Sequence, residues 1–164
     1  MSRTLQDWAH LAEIVGGVAI ILSLLFVGFQ VSENSRQVRS ETAHNVTAAM
    51  QSWYLEMGAN AQAASTFRKA VNDPINLSED EAVQFVMSAH SIMLVHQSMY
   101  FLGAEGTLDA EMNRAMSSSL AAVARTKGFA WYWEQRRVYF TDEFQGFVDD
   151  VIAGTAGDGA HIYP

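Results

Sequence analysis

The sequence predicts an all-α protein, an N-terminal transmembrane helix continuing into a small helical bundle. Three observations carry this. No residue from Ile14 to Ser32 is charged. Beyond that run, apolar residues recur mostly at threes, fours and sevens, the spacing of one helix face. No segment shows the period-two alternation of a half-buried strand.

The uncharged run comes first. As a helix rising 1.5 Å per residue it covers about 28 Å, close to the thickness of a bilayer's hydrocarbon core. Leu11 and Ala12 extend it, and Trp8 stands where an interfacial aromatic anchor belongs. A cleaved signal peptide would need a basic leader and a small-residue cleavage site. Here Asp7 and Glu13 precede the run, only Arg3 is basic, and Gly28-Phe29-Gln30 is a poor cleavage site. A buried core helix would be shorter and carry a polar stripe. The preferred reading is an uncleaved span over 11–32, preceded by a short segment 1–10. Arg36 and Arg39 follow it closely, which favours a cytoplasmic C-terminal domain in a bacterial inner membrane.

One face of the span repeats small residues, Ala12, Gly16, Ala19 and Ser23, at alternating steps of four and three. Gln30 continues that seam seven residues later. Small side chains let two helices approach closely in lipid, and a carboxamide can hydrogen-bond across the pair. The seam is therefore a candidate homo-oligomer contact, although glycine and alanine are also common in spans for no such reason.

After the span no proline occurs before Pro74. Val38, Val46, Ala49, Trp53, Met57, Ala64, Phe67 and Val71 sketch an amphipathic continuation, with Gly58 and Asn60 as its weak point or end. Asn72-Asp73-Pro74 closes the segment. Ser78 with Glu81 three residues on is a capping box, and Glu79 and Asp80 add negative charge to the first turn. The following run, Ala82 to Leu102, is long enough to raise a second span. Gln84, His90, His96 and Gln97 within it favour the central helix of a bundle. Gly103 to Gly106 form a turn, and Thr107 or Asp109 starts a helix toward Arg125. Lys127-Gly128 separates it from an aromatic stretch, Phe129 to Phe140, and Thr141-Asp142-Glu143 opens a final helix. The bundle domain is 33–153, followed by a glycine-rich flexible tail, 154–164.

Composition narrows the chemistry. The 164 residues carry a formal charge of −8 with only ten Lys and Arg, which disfavours a nucleic-acid partner. Cysteine is absent, excluding disulfides, thiolate metal sites and a cysteine nucleophile. Glu41-Thr-Ala-His44 has the spacing of a di-iron ligand pair, yet such sites need a second copy of the motif, so no metal and no cofactor are expected. His90 and His96 stand six apart, on opposite sides of a helix. Ser117-Ser118-Ser119 lacks an obvious base, and no phosphate loop or hydrolase elbow occurs. Asn45-Val-Thr and Asn76-Leu-Ser match a glycosylation sequon of low information. Trp131, Tyr132 and Arg136 combine aromatic and guanidinium groups in the manner of a partner surface, while Trp133, Phe140, Phe144 and Phe147 suit the core.

The chain resembles a family of uncharacterised, largely proteobacterial membrane proteins. The likeness rests on Trp8, Ala12-Glu13-Ile14, Gly16, Ser23-Leu24, Val27, Gln30, Asn34 and Arg39. It resumes at Gly106-Thr-Leu-Asp109 and at Trp133, Arg137, Phe140, Phe144 and Phe147-Val148-Asp149. The resemblance implies one span followed by a helical domain and brings no site residues. The expected function is that of a non-enzymatic, membrane-anchored interaction module that self-associates or docks a partner. The alternative is a small-ligand sensor or enzyme whose pocket lies inside the bundle beside His90 or His96.

Overall fold

A computed structural model describes residues 5–154, and no strand occurs among them. The tail 155–164, with His161, lies outside the described residues, as does Arg3. Six α-helices follow one another: α1 Leu5–Ala59, α2 Ala61–Asn72, α3 Glu79–Ala104, α4 Ala110–Ala124, α5 Lys127–Arg136 and α6 Asp142–Gly154. Single 3-10 turns occupy Pro74–Asn76 and Arg137–Tyr139. The protein is all-α, and its long first helix continues into a helical bundle. Two compact units are formed, residues 1–41 and residues 42–164.

The described residues up to Glu41, from Leu5 onward, belong to α1 alone. This part of α1 includes a segment long and apolar enough to cross a membrane, by length and composition. Every large apolar side chain from Ile14 to Val31 is exposed, between 49% at Val27 and 76% at Phe29. Glu33 and Arg36 pair at 2.8 Å one turn apart, on the exposed helix surface.

The bundle unit begins with the last turns of α1. Asn60 ends that helix and starts the next. Its extended backbone breaks the ladder, and its side chain accepts hydrogen bonds from the Gln62 and Ala63 amides. The weak point expected at Gly58 and Asn60 therefore falls on Asn60. The buried face is Val46, Met50, Trp53, Ala63, Ala70 and Val71. It is displaced by one residue from the expected pattern at Ala49 and Ala64, both of which are exposed. The cap at Asn60 restarts the helix, so a count carried across it drifts by a position at Ala64; within α1, Ala49 and Met50 stand three and four residues beyond Val46, and the longer side chain takes the buried place.

The run from Ala82 to Leu102 lies within α3, the central helix of the bundle. Ser78 and Glu81 form the reciprocal capping box, and Glu81 also holds Lys69 of α2 at 2.6 Å. Phe85, Val86, Ala89, Met93, His96 and Met99 are buried along it. Asp109 caps α4 through the Glu111 and Met112 amides. The turn before it needs Gly106, whose φ of +69° lies in the left-handed region. Thr126 caps α5 through the Phe129 amide.

The core joins α2 to α6 around an aromatic chain. Trp133 stacks on Phe129 at 6.0 Å and on Phe140 at 5.5 Å, and Phe144 meets Trp133 edge-on at 6.5 Å. Tyr132, Phe144 and Val148 are fully buried. The indole nitrogen of Trp133 donates to Asp149 at 2.9 Å, and the same carboxylate pairs with Arg137, so one acidic side chain ties the end of α5 to α6. A second, smaller cluster joins Val46, Met99 and Leu108.

One position sets the distance between α2 and α5. A Cβ on Gly128 would stand 2.5 Å from the Ala70 carbonyl oxygen and 2.8 Å from the Val71 Cα. Both obstacles are backbone and cannot rotate away. In an open helix, Gly→Ala gains about 1 kcal/mol from propensity. Here overpacking decides the sign, and Gly128→Ala is expected to destabilise the bundle by about 2 kcal/mol net. The shift of the urea midpoint at unchanged slope measures it. Gly146→Ala, at a helical position with nothing within 4 Å, serves as the control and should be neutral or stabilising.

Candidate functional site

The candidate site is a cavity of about 180 Å³ inside the bundle unit, partly open to solvent. Five helices contribute. Met50 and Trp53 come from the end of α1, Phe67 and Val71 from α2, and α3 supplies Phe85, Met93 and His96. Ser119 and Leu120 of α4 and Phe129 and Tyr132 of α5 close it. Tyr54, 52% exposed, also lines it and marks the side facing solvent. Among the described residues, no Asp, Glu, Lys or Arg lines the wall.

Packed interiors contain few voids larger than a water molecule. At roughly 24 cal/mol per Å³, an unfilled space of this size costs roughly 4 kcal/mol relative to a filled one. That is a large fraction of a small domain's stability. The helices around it are nevertheless fixed by contacts elsewhere. The Trp53 indole N–H donates to the Ser88 carbonyl at 3.0 Å and lies 3.1 Å from its hydroxyl, which ties the end of α1 to α3. Trp53 also meets Phe67 edge-on at 5.4 Å.

Tyr54, Ser119, Thr126 and Tyr132 bring hydroxyl groups to the lining, and the one imidazole among the lining residues is His96, 8% exposed. Its Nδ1 lies 2.9 Å from the Ile92 carbonyl oxygen one turn back. A carbonyl only accepts, so in the neutral ring Nδ1 carries the hydrogen and Nε2 is left as an acceptor. The Ser119 hydroxyl sits 3.4 Å from Nε2, long for an O–H···N bond. Burial holds the His96 pKa below its ordinary value, against the smaller opposing effect of the Ile92 carbonyl. His90, on the other side of α3, pairs through Nδ1 with the Tyr132 hydroxyl at 2.9 Å. Its pKa is also lowered, first by desolvation and then by the nearby Arg136 guanidinium. Burial pushes the Tyr132 phenol up, so it stays neutral throughout the working range.

The residues singled out from sequence are not brought together. Ala12, Gly16, Ala19, Ser23 and Gln30 all lie exposed on α1, and Gly16 has no atom within 4 Å of where a Cβ would stand. Of the three residues expected to face a partner, Tyr132 is a correction. It is 0% exposed, held in the core by its bond to His90 and by Phe129 at 6.2 Å. Trp131 is half-buried against Phe85 at 6.3 Å, and Arg136 lies 5.5 Å from the ring centre of Tyr139, a cation–π contact. Glu41 lies on the exposed face of α1 beside the likewise exposed His44, and no group of three metal-binding side chains gathers among the described residues. The alternative expectation of a pocket inside the bundle named His90 and His96, and of these His96 lines the cavity. Ser119 and His96 are 23 residues apart, and nothing local marks their approach.

Comparison with protein families, with characterised proteins and with solved structures finds no match to this chain.

The two histidines give the bundle a pH dependence whose sign is fixed. Each binds its proton more weakly folded than unfolded, so the unfolded chain takes up more protons as the pH drops through the ordinary value of 6.5. Stability is therefore complete above about pH 7.5 and falls as the pH is lowered below about 6.5. The urea midpoint should decline between pH 7 and 5, before carboxylates titrate. His96→Gln should flatten much of that decline, and a variant as pH-sensitive as the wild type would contradict the assignment to His96.

Proposed function

We propose that the protein is a membrane-anchored helical module of the bacterial inner membrane, held by α1 and self-associating through it. The observation that carries this reading is the all-round exposure of the apolar side chains from Ile14 to Val31. A contiguous apolar surface of that size is unstable in water, and no residue of the apolar segment is buried within the chain. Hydrocarbon satisfies it on every side, because a helix meets its own backbone hydrogen-bonding needs. The resemblance to proteobacterial membrane proteins supports the same placement. Arg36 and Arg39 beyond the span put the bundle on the cytoplasmic side.

The seam Ala12, Gly16, Ala19, Ser23 and Gln30 is the contact through which a second copy packs. Its small side chains permit close backbone approach, and Gln30 adds a hydrogen bond between the paired helices.

Three measurements check this. Full-length protein should stay with membranes through an alkaline wash, and a C-terminal green fluorescent protein fusion should fluoresce where an alkaline phosphatase fusion is inactive. Release by the wash, or the reverse reporter pattern, contradicts insertion or orientation respectively. In a membrane two-hybrid assay, Gly16→Leu should reduce self-association at least fivefold while Gly17→Leu, off the seam, leaves it unchanged. Equal signals from both variants would remove the seam.

A further inference from the structure

We propose that the bundle cavity is a binding site for a compact, neutral, ring-sized apolar molecule carrying one hydroxyl or N–H donor. This goes beyond anchoring and rests on the bundle unit alone.

Size gives the first constraint. A 150 Å³ cavity walled by aliphatic and aromatic side chains stays dry and takes up benzene. The 180 Å³ here admits a single substituted ring or a small bicycle, not a long acyl chain. The wall gives the second. Met50, Phe67, Phe85, Met93 and Leu120 present carbon, or methionine sulfur that adapts to aromatic shapes. A charged molecule entering this wall finds no counter-ion and loses its hydration, which excludes carboxylates and amines in their ionised forms.

The third constraint is the polar point. The Ile92 carbonyl fixes the His96 tautomer, so Nε2 offers a lone pair. The Ser119 hydroxyl engages that lone pair only at 3.4 Å. A ligand O–H or N–H meets an acceptor there, and a pure hydrocarbon leaves it with the long Ser119 contact alone. Phenols and indoles have this combination of ring and donor.

The test uses the full chain in lipid nanodiscs and follows three probes by fluorine NMR: 4-fluorophenol, fluorobenzene and 4-fluorobenzoate. Empty nanodiscs correct for partitioning into lipid. Saturable binding of 4-fluorophenol is expected, about tenfold tighter than fluorobenzene, with no saturable binding of 4-fluorobenzoate. It should be accompanied by a saturating rise in the bundle's melting temperature. Ala122→Phe, which puts a ring into the cavity, should abolish binding while keeping the helical circular dichroism. His96→Leu should keep fluorobenzene binding and erase the phenol preference. If Ala122→Phe does not fold, the wild-type thermal shift and the His96→Leu comparison decide.

Four results overturn the proposal: no saturable phenol signal above empty discs, equal binding of benzoate, undiminished binding in a folded Ala122→Phe variant, or a phenol preference that survives in His96→Leu. Displacement of 4-fluorophenol by equimolar hexadecanoate overturns the ring-sized class in favour of an acyl chain. None of these results alters the wash and reporter measurements, so the anchoring role and the ligand site fail separately.

Discussion

The bundle depends on a backbone contact. Gly128 brings the first turn of α5 against Ala70 and Val71 of α2, closer than any side chain would allow. Everything aromatic in α5 is placed from that point. Phe129 and Trp133 turn toward Phe140 and Phe144, Tyr132 points to His90, and Trp131 reaches Phe85. Asp149 then secures the far end by taking the Trp133 indole and the Arg137 guanidinium together. The spacing of α2 and α5 is thus fixed by main chain, and the side chains around it cannot collapse freely into neighbouring space. A cavity of 180 Å³ persists because its walls are held at such points and at the Trp53–Ser88 bond.

The two compact units obey different solvent rules. In residues 5–41 the helix is apolar on all faces across its uncharged stretch, which is long and apolar enough to cross a membrane. In residues 42–154 each helix hides one face and solvates another, and the helix ends are capped by Asn60, Ser78, Asp109 and Thr126. Caps matter in water, where an orphan amide competes with solvent, and each contributes about 1 kcal/mol. The long helix α1 carries both regimes in one uninterrupted hydrogen-bond ladder, with the change marked by the Glu33–Arg36 pair and the polar residues after it.

What could be read from the sequence was whatever physics acts over one or two turns. Ser78 with Glu81, the break at Asn72-Asp73-Pro74 and the turn before Asp109 are local devices, and the structure places them where their chemistry requires. The uncharged stretch is legible for the same reason. Tyr132 was not legible. Three consecutive aromatics, Trp131, Tyr132 and Trp133, span about 200° of a helix, so at least one must face away from any single neighbour. Which one does so depends on α3 supplying His90 as a partner for the phenol, and that is a tertiary fact. The one-residue shift from Ala64 to Ala63 has a similar origin, since the cap at Asn60 resets the phase between α1 and α2. A cavity is harder still, being an absence of atoms among five helices.

The same cavity bears on whether the protein performs chemistry. A serine beside a histidine suggests a nucleophile and its base, but the pair lacks what would make it one. In serine hydrolases a carboxylate holds the imidazole and stabilises the imidazolium that forms as the proton moves. His96 is held by the Ile92 carbonyl, which fixes the tautomer and supplies no full negative charge. Burial lowers the imidazole's affinity for a proton, which weakens it as a base. The wall of the cavity presents no charged side chain to a developing oxyanion; the start of α5 reaches it at Thr126, but the Thr126 hydroxyl already takes the Phe129 amide, and Ser119 and His96 lie well inside α4 and α3. The features that weaken the pair as nucleophile and base are also those that the proposed neutral guest would meet: a largely apolar wall, an acceptor of fixed tautomer, and no charged side chain.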